Sequence, residues 1–266
     1  MNIFAFETKA QLKGFLVWAA SLLALFLVLG VAFYGTFMAS KSAVQDALDS
    51  LPPAFSAVFG VDINAVFSYG GFFQFIYTYL SLVGAIMASS IALSSFSREK
   101  RSKCIDFLFA KPASRGRIFL LKLLACLALI IVMNGLFVIV SMLAYVGNGQ
   151  DPSQIGTLVL ASLSLFFLQI VFMSIGILYA VSVRKVRSVS GTATAFGFAG
   201  FVLMALYSLI KEEVLRYISP LNYFNPGVVF STGGFETRYA VTAAVVVIAC
   251  IALAYVKYCK SDTQAI

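Results

Sequence analysis

The stretch Ser97-Arg98-Glu99-Lys100-Arg101-Ser102-Lys103-Cys104-Ile105-Asp106-Phe107-Leu108-Phe109-Ala110-Lys111-Pro112-Ala113-Ser114-Arg115-Gly116-Arg117 holds seven basic and two acidic residues. It sits between two long runs without any charge, residues 63–97 and 123–150, of 35 and 28 residues. A helix needs about 20 apolar residues to cross the hydrocarbon core of a bilayer, so the stretch reads as a charged loop between two membrane spans. Outward from it, further uncharged runs cover 14–40, 152–183, 188–210 and 239–256. Each supplies one span, and the longest is too short for two spans and a turn. A seventh run, 217–235, contains Pro220, Pro226, Gly227, Gly233 and Gly234, which break a straight span into short helices.

The sequence therefore predicts an all-α integral membrane protein, one transmembrane domain over residues 1–266. Its six transmembrane helices fall at about 16–38, 71–96, 118–146, 156–183, 190–210 and 239–256, with a cytoplasmic loop at 97–117 and an outer re-entrant segment at 211–238. Composition agrees: 61% of the 266 residues are hydrophobic and 11% charged, against about half and a quarter in soluble domains. Histidine is absent, which removes Ser-His-Asp and Cys-His catalysis and His-ligated zinc or haem, and no metal site is expected.

Of the 19 Lys and Arg residues, 14 fall before span 1, between spans 2 and 3, between spans 4 and 5, and after span 6. Positive loops stay inside, so both termini are expected in the cytoplasm. The charge of +8 is then a topology signal that needs no nucleic-acid partner and favours anionic lipid head groups. The first apolar run is too long for a signal peptide. No cysteine falls in an outer loop, so no disulfide is expected. Residues 1–13 read equally as an interfacial helix or a frayed end, Ser42 to Leu51 as the start of an outer helix, and Gly147 to Pro152 as a tight turn.

Within the charged loop, Cys104, Ile105, Leu108 and Phe109 give a short helix one apolar face; Pro112 ends it and Ser114 can cap the next helix. Such a helix can lie on the bilayer or fill a groove on a partner, and the pattern alone favours the bilayer. The order of features, however, resembles the type-2 permease subunits of ATP-binding-cassette exporters. It runs Arg98-Glu99 and Arg101, then Phe107-Leu108-Phe109-Ala110, then Pro112-Ala113-Ser114-Arg115, then Lys122. Where that family often has Gly-Thr after its Glu, this chain has Ser102-Lys103-Cys104. Leu51-Pro52-Pro53 through Phe59-Gly60 and Ser219-Pro220-Leu221-Asn222-Tyr223-Phe224 resemble the family's outer segments, so the likeness spans nearly the whole chain.

The resemblance implies that Arg98, Glu99, Arg101, Ile105, Leu108 and Phe109 contact a separate ATPase subunit through a coupling helix. It implies an outer gate of short re-entrant helices at Tyr217, Pro220, Tyr223, Phe224 and Pro226. It also implies a second permease chain, identical or related, in a prokaryotic plasma membrane. ATP and magnesium would bind the partner: a P-loop needs Gly before Lys-Ser, and Lys-Ser occurs only after Ser40 and Cys259.

Inside the spans, the aromatic residues from Tyr69 to Tyr79 read as an interfacial belt more than a cargo surface. Gln74, Asn134 and Gln169 are amides expected to bond between helices rather than to cargo. Gly191, Ala195 and Ala199, and also Ala193 and Gly197, repeat every four residues, a spacing that allows close helix approach within one chain, across a dimer, or along a path; Gly84-Ala88 and Gly176-Ala180 are weaker copies. No ionisable residue is placed near the centre of a span, which leaves no intrinsic ion-coupling site. The expected function is outward transport of a hydrophobic or amphipathic cargo. A scaffold without transport, or a membrane enzyme using Asp46, Asp49, Glu212 and Glu213, are the rival readings.

Overall fold

The computed structural model describes residues 3–50, 65–102 and 114–260. All its regular elements are helices: α1 (Ile3–Ala39), α2 (Lys41–Asp49), α3 (Tyr69–Ser102), α4 (Arg115–Gly147), α5 (Ile155–Ser182), α6 (Val189–Ile210), α7 (Glu213–Ile218), α8 (Pro226–Thr232) and α9 (Thr237–Lys260). Six of them, α1, α3, α4, α5, α6 and α9, are long and apolar enough to cross a membrane.

Three boundaries differ from the sequence reading. The N-terminal residues are helical rather than frayed: from Ile3 onward α1 runs unbroken into the span, with Glu7, Gln11, Phe15 and Ala19 as one buried stripe at i, i+4 spacing. The helix of the second span continues past residue 96. Ser97 to Ser102, made mostly of good helix formers, prolong α3, so Arg98, Glu99 and Arg101 stand on helix rather than in a loop. The next helix begins at Arg115, where Ser114 Oγ accepts the Arg117 N–H at 3.3 Å as the expected cap. The coupling-helix residues Ile105, Leu108 and Phe109, and the Leu51 to Gly60 stretch, lie outside the described residues.

Long α3 and α5 form the centre of the bundle. They pack on each other, with α1 and α6 against α3 and with α4, α9 and α8 against α5. Close approach of α3 and α5 depends on glycine: a Cβ on Gly84 would come within 2.7 Å of Leu165, and one on Gly176 within 3.1 Å of Ala92. Large apolar side chains elsewhere point outward, among them Val17, Leu143 and Ile248, as a lipid-facing surface allows. The aromatic residues at the start of α3 turn inward instead of forming a belt. Tyr69 meets Tyr145 edge-on at 4.7 Å, Phe72 meets Tyr34 at 5.1 Å and Phe73 meets Phe230 at 5.8 Å. T-shaped ring pairs of this kind join α1, α3, α4 and α8 at one end of the bundle.

Within α1, Val28–Ala32 is a π-helical turn. A Cβ on Gly30 would sit 3.1 Å from the Phe26 ring, so the wide turn is accommodated by a residue with no side chain. The α4–α5 connection is the tight turn the sequence suggests, with Gly149 at φ +68° and Asp151 capping a 3-10 turn at Pro152–Gln154. The long segment before α9 is broken into α7, a 3-10 turn at Pro220–Asn222, and α8.

Candidate functional sites at the two ends of the bundle

At the end that carries the 103–113 segment, three helices meet through a buried carboxylate. Glu7 on α1 is 2% exposed and Lys122 on α4 is fully buried. Lys122 Nζ lies 3.3 Å from Glu7 Oε1 and donates to the Ser95 carbonyl of α3 at 2.7 Å. Arg98 Nη1 donates to Glu7 Oε2 at 3.1 Å, and Ser95 Oγ donates to the same oxygen at 3.3 Å. The Lys122 ammonium also stands 5.8 Å from the centre of the Phe96 ring. Burying any of these charges alone would be costly; pairing and hydrogen bonding make the site tolerable. α3 continues from this node for one more helical turn, through Ser102, directly before the segment expected to dock on a partner.

In the sequence Lys122 stands out only as a match to a family position, and Glu7 only as one residue of the 1–13 segment. The node was missed because Glu7 meets its partners across separations of 91 residues to Arg98 and 88 to Ser95. The available signal was the stripe: Glu7 and Gln11 continue the i, i+4 spacing of Phe15 and Ala19, which places two polar residues on the buried face.

Mid-bundle, Asn134 Nδ2 of α4 donates to Gln169 Oε1 of α5 at 2.6 Å, so these two amides do join helices. Gln74 does something different. Its side chain lies where a Cβ on Gly227 would fall, 1.8 Å from Gln74 Oε1, so the start of α8 rests directly on α3. The small-residue stripes of α6 separate. Ala193 and Gly197 face inward, and a Cβ on Gly197 would meet Ile86 at 2.4 Å. Gly191, Ala195 and Ala199 are exposed on the opposite face.

At the other end, the five residues named as an outer gate come together only in part. Tyr223, Phe224 and Pro226 are buried, whereas Tyr217 is exposed and Pro220 half-buried. Tyr223 donates its hydroxyl proton to the Tyr217 carbonyl. Phe224 stacks on Phe167 of α5 at 5.2 Å and meets Phe235 edge-on at 5.6 Å. Asn225 caps α8 by accepting the Gly227 N–H at 2.8 Å, and Gly233 ends it at φ +75°. Two residues not read from the sequence hold this segment. Arg216 of α7 forms a two-pronged ion pair with Glu236, Nη1 to Oε1 at 3.2 Å, and its guanidinium lies 3.8 Å from the centre of the Tyr239 ring of α9. Burial works against the charge of Arg216, but the hydrogen bond and charge of Glu236 outweigh it and hold its pKa above the ordinary arginine value.

The arrangement couples a charged base to a segmented cap through two central helices. No curated protein and no solved structure matches the chain. The family model for the ABC-2 family transporter protein matches residues 1–263, and the chain accordingly belongs to that family, as a multi-pass membrane permease subunit of an ABC transporter.

Proposed function

We propose that this permease exports a hydrophobic or amphipathic cargo (a peptide, drug or lipid-like molecule) while ATP and magnesium are consumed on a separate ATP-binding-cassette subunit. Permeases of the family generally work with such a subunit. In this reading the end with both termini faces the cytoplasm. Ile105, Leu108 and Phe109 fill a groove on the ATPase, flanked by Arg98, Glu99 and Arg101, and a second permease chain completes the path.

The observation that carries the reading is the continuity of α3. Its 34 residues span about 50 Å, well beyond the hydrocarbon core of about 30 Å, and run from the aromatic cluster beneath α8 to the edge of the 103–113 segment. The Glu7 node ties the loop end of α3 to α1 and α4. A displacement applied at the segment is then delivered to three helices as rigid-body motion, and Gln74 under Gly227 carries it to the short helices at the other end. The single buried carboxylate among the described residues of the inner bundle is already paired, which favours cargo without a strong charge.

The test is purification of the tagged chain with its co-purifying ATP-binding subunit, followed by ATP-driven uptake of a lipophilic fluorescent dye into inside-out vesicles. Leu108→Asp puts a charge in an apolar groove and is expected to release the ATPase and abolish uptake. Full retention of the ATPase with undiminished uptake overturns the reading.

A further inference from the structure

A groove of about 350 Å³ runs between α4 and α9 on the lipid-facing side of the bundle. Its walls are Leu120 and Leu123 of α4 and Ile248, Ile251 and Ala252 of α9, and Tyr255 closes it toward the loop end. From Val247 to Tyr255 the groove follows about 12 Å of helix. Leu120 and Ile248 are more than half exposed, so none of the described residues covers it.

Charge gives the groove a direction. Its apolar part lies within the span, and its loop end meets the first turn of α4, which carries Arg115 and Arg117, whereas Lys257 and Lys260 stand on the face of α9 turned away from Ile251 and Tyr255. Arg115 reaches across the mouth, where Nη1 donates to the Cys259 carbonyl at 3.4 Å. Gly116 brings the two helices close: a Cβ there would lie 2.7 Å from the Tyr255 hydroxyl. Neither α4 nor α9 carries a carboxylate anywhere along its length. Read from the centre outward, the surface is aliphatic, then phenolic, then cationic. That is the sequence of polarities along a phospholipid, from acyl chain through ester region to phosphate.

We propose that this groove is a binding site for one anionic phospholipid, with an acyl chain along Leu123 and Ile251, the ester region at Tyr255 and the phosphate at the cationic mouth. Arginine suits the role because its planar guanidinium pairs with phosphate oxygens in a fixed geometry.

Native mass spectrometry of the full chain, released from micelles holding phosphatidylglycerol or phosphatidylcholine, tests it. Wild-type chain is expected to keep one phosphatidylglycerol at activation energies that strip phosphatidylcholine. Removing a cation near a phosphate loses about fivefold in retention, so Arg115→Gln should remove most of the preference, whereas Arg115→Lys should keep most of it. Arg184→Gln with Arg187→Gln, at another connection on the same end, should leave it intact. Ala252→Phe fills the groove and should lower retention of both lipids without changing the elution volume of the protein. Equal retention of the two lipids by the wild-type chain overturns the proposal. So does an equal loss in the Arg184/Arg187 variant, which would show a general response to positive charge.

Discussion

The Glu7 carboxylate and the Lys122 ammonium lie 3.3 Å apart, each closed off from the surface, at the point where α1, α3 and α4 converge. Removing one member strands the other. Glu7→Ala leaves Lys122 buried without its counter-charge and should cost about 3–5 kcal/mol, the range for breaking a buried pair. Glu7→Met combined with Lys122→Met should recover much of that loss, because an apolar replacement of the whole pair is often near neutral. Thermal unfolding in detergent checks both, and equal stability of Glu7→Ala and wild type would show that the pair is not formed.

The two faces of α6 should respond oppositely to the same change. Gly197→Leu forces a side chain into Ile86 and should destabilise by about 1–3 kcal/mol. Gly191→Leu meets only its own capping Ser188 and should leave the unfolding temperature of the single chain nearly unchanged. If Gly191, Ala195 and Ala199 form a contact between permease chains, Ala195→Leu will instead lower chemical cross-linking of the pair.

Arg216 and Glu236 should act as one latch on the segmented cap. Arg216→Lys keeps the charge but loses the two-pronged geometry and the flat stacking on Tyr239. The expected loss is about 1 kcal/mol, discounted for partial exposure. The sharper readout is amide exchange, which should rise across α7 and α8 while α9 stays protected.

Asp151 gives a pH signature confined to the α4–α5 turn. Hydrogen bonds from Ser153 Oγ at 2.6 Å and from Ser153 N at 3.0 Å hold its pKa below the usual carboxylate value. A carboxylate depressed in the folded state stabilises above its unfolded pKa and loses that contribution as pH falls through the folded one. Protection of the Ser153 amide, taken relative to its intrinsic exchange rate at each pH, should therefore fall as pH drops below about 4, and Asp151→Asn should remove that change.

The number of spans was legible because the bilayer imposes a length and an absence of charge on every crossing, and runs such as 123–150 carry both. Local signals also transferred. Ser114 caps α4, and Pro220, Pro226 and Gly233 segment the outer stretch, since each acts through its own backbone. The aromatic residues at Tyr69 to Phe73 were misplaced because aromatic residues look alike in sequence whether they meet lipid head groups or one another. Glu7 was misplaced for the converse reason: its burial is decided by Ser95, Arg98 and Lys122, distant in the chain. The continuation of α3 through Ser102 was hidden by reading the charges of 98–101 as the edge of a helix, when Arg, Glu and Lys are good helix formers that prolong it.

The π turn at Val28–Ala32 amounts to one residue more than an ordinary helix would need over the same distance. Deleting one residue there would restore a regular helix and keep its two halves in register, with Tyr34 and Phe37 still against Phe72 and Glu7 still at its node. The same deletion elsewhere in α1 would swing everything beyond it by about 100°. Residues 28–32 are thus a place where the first helix can lose a residue and still present both of its buried faces.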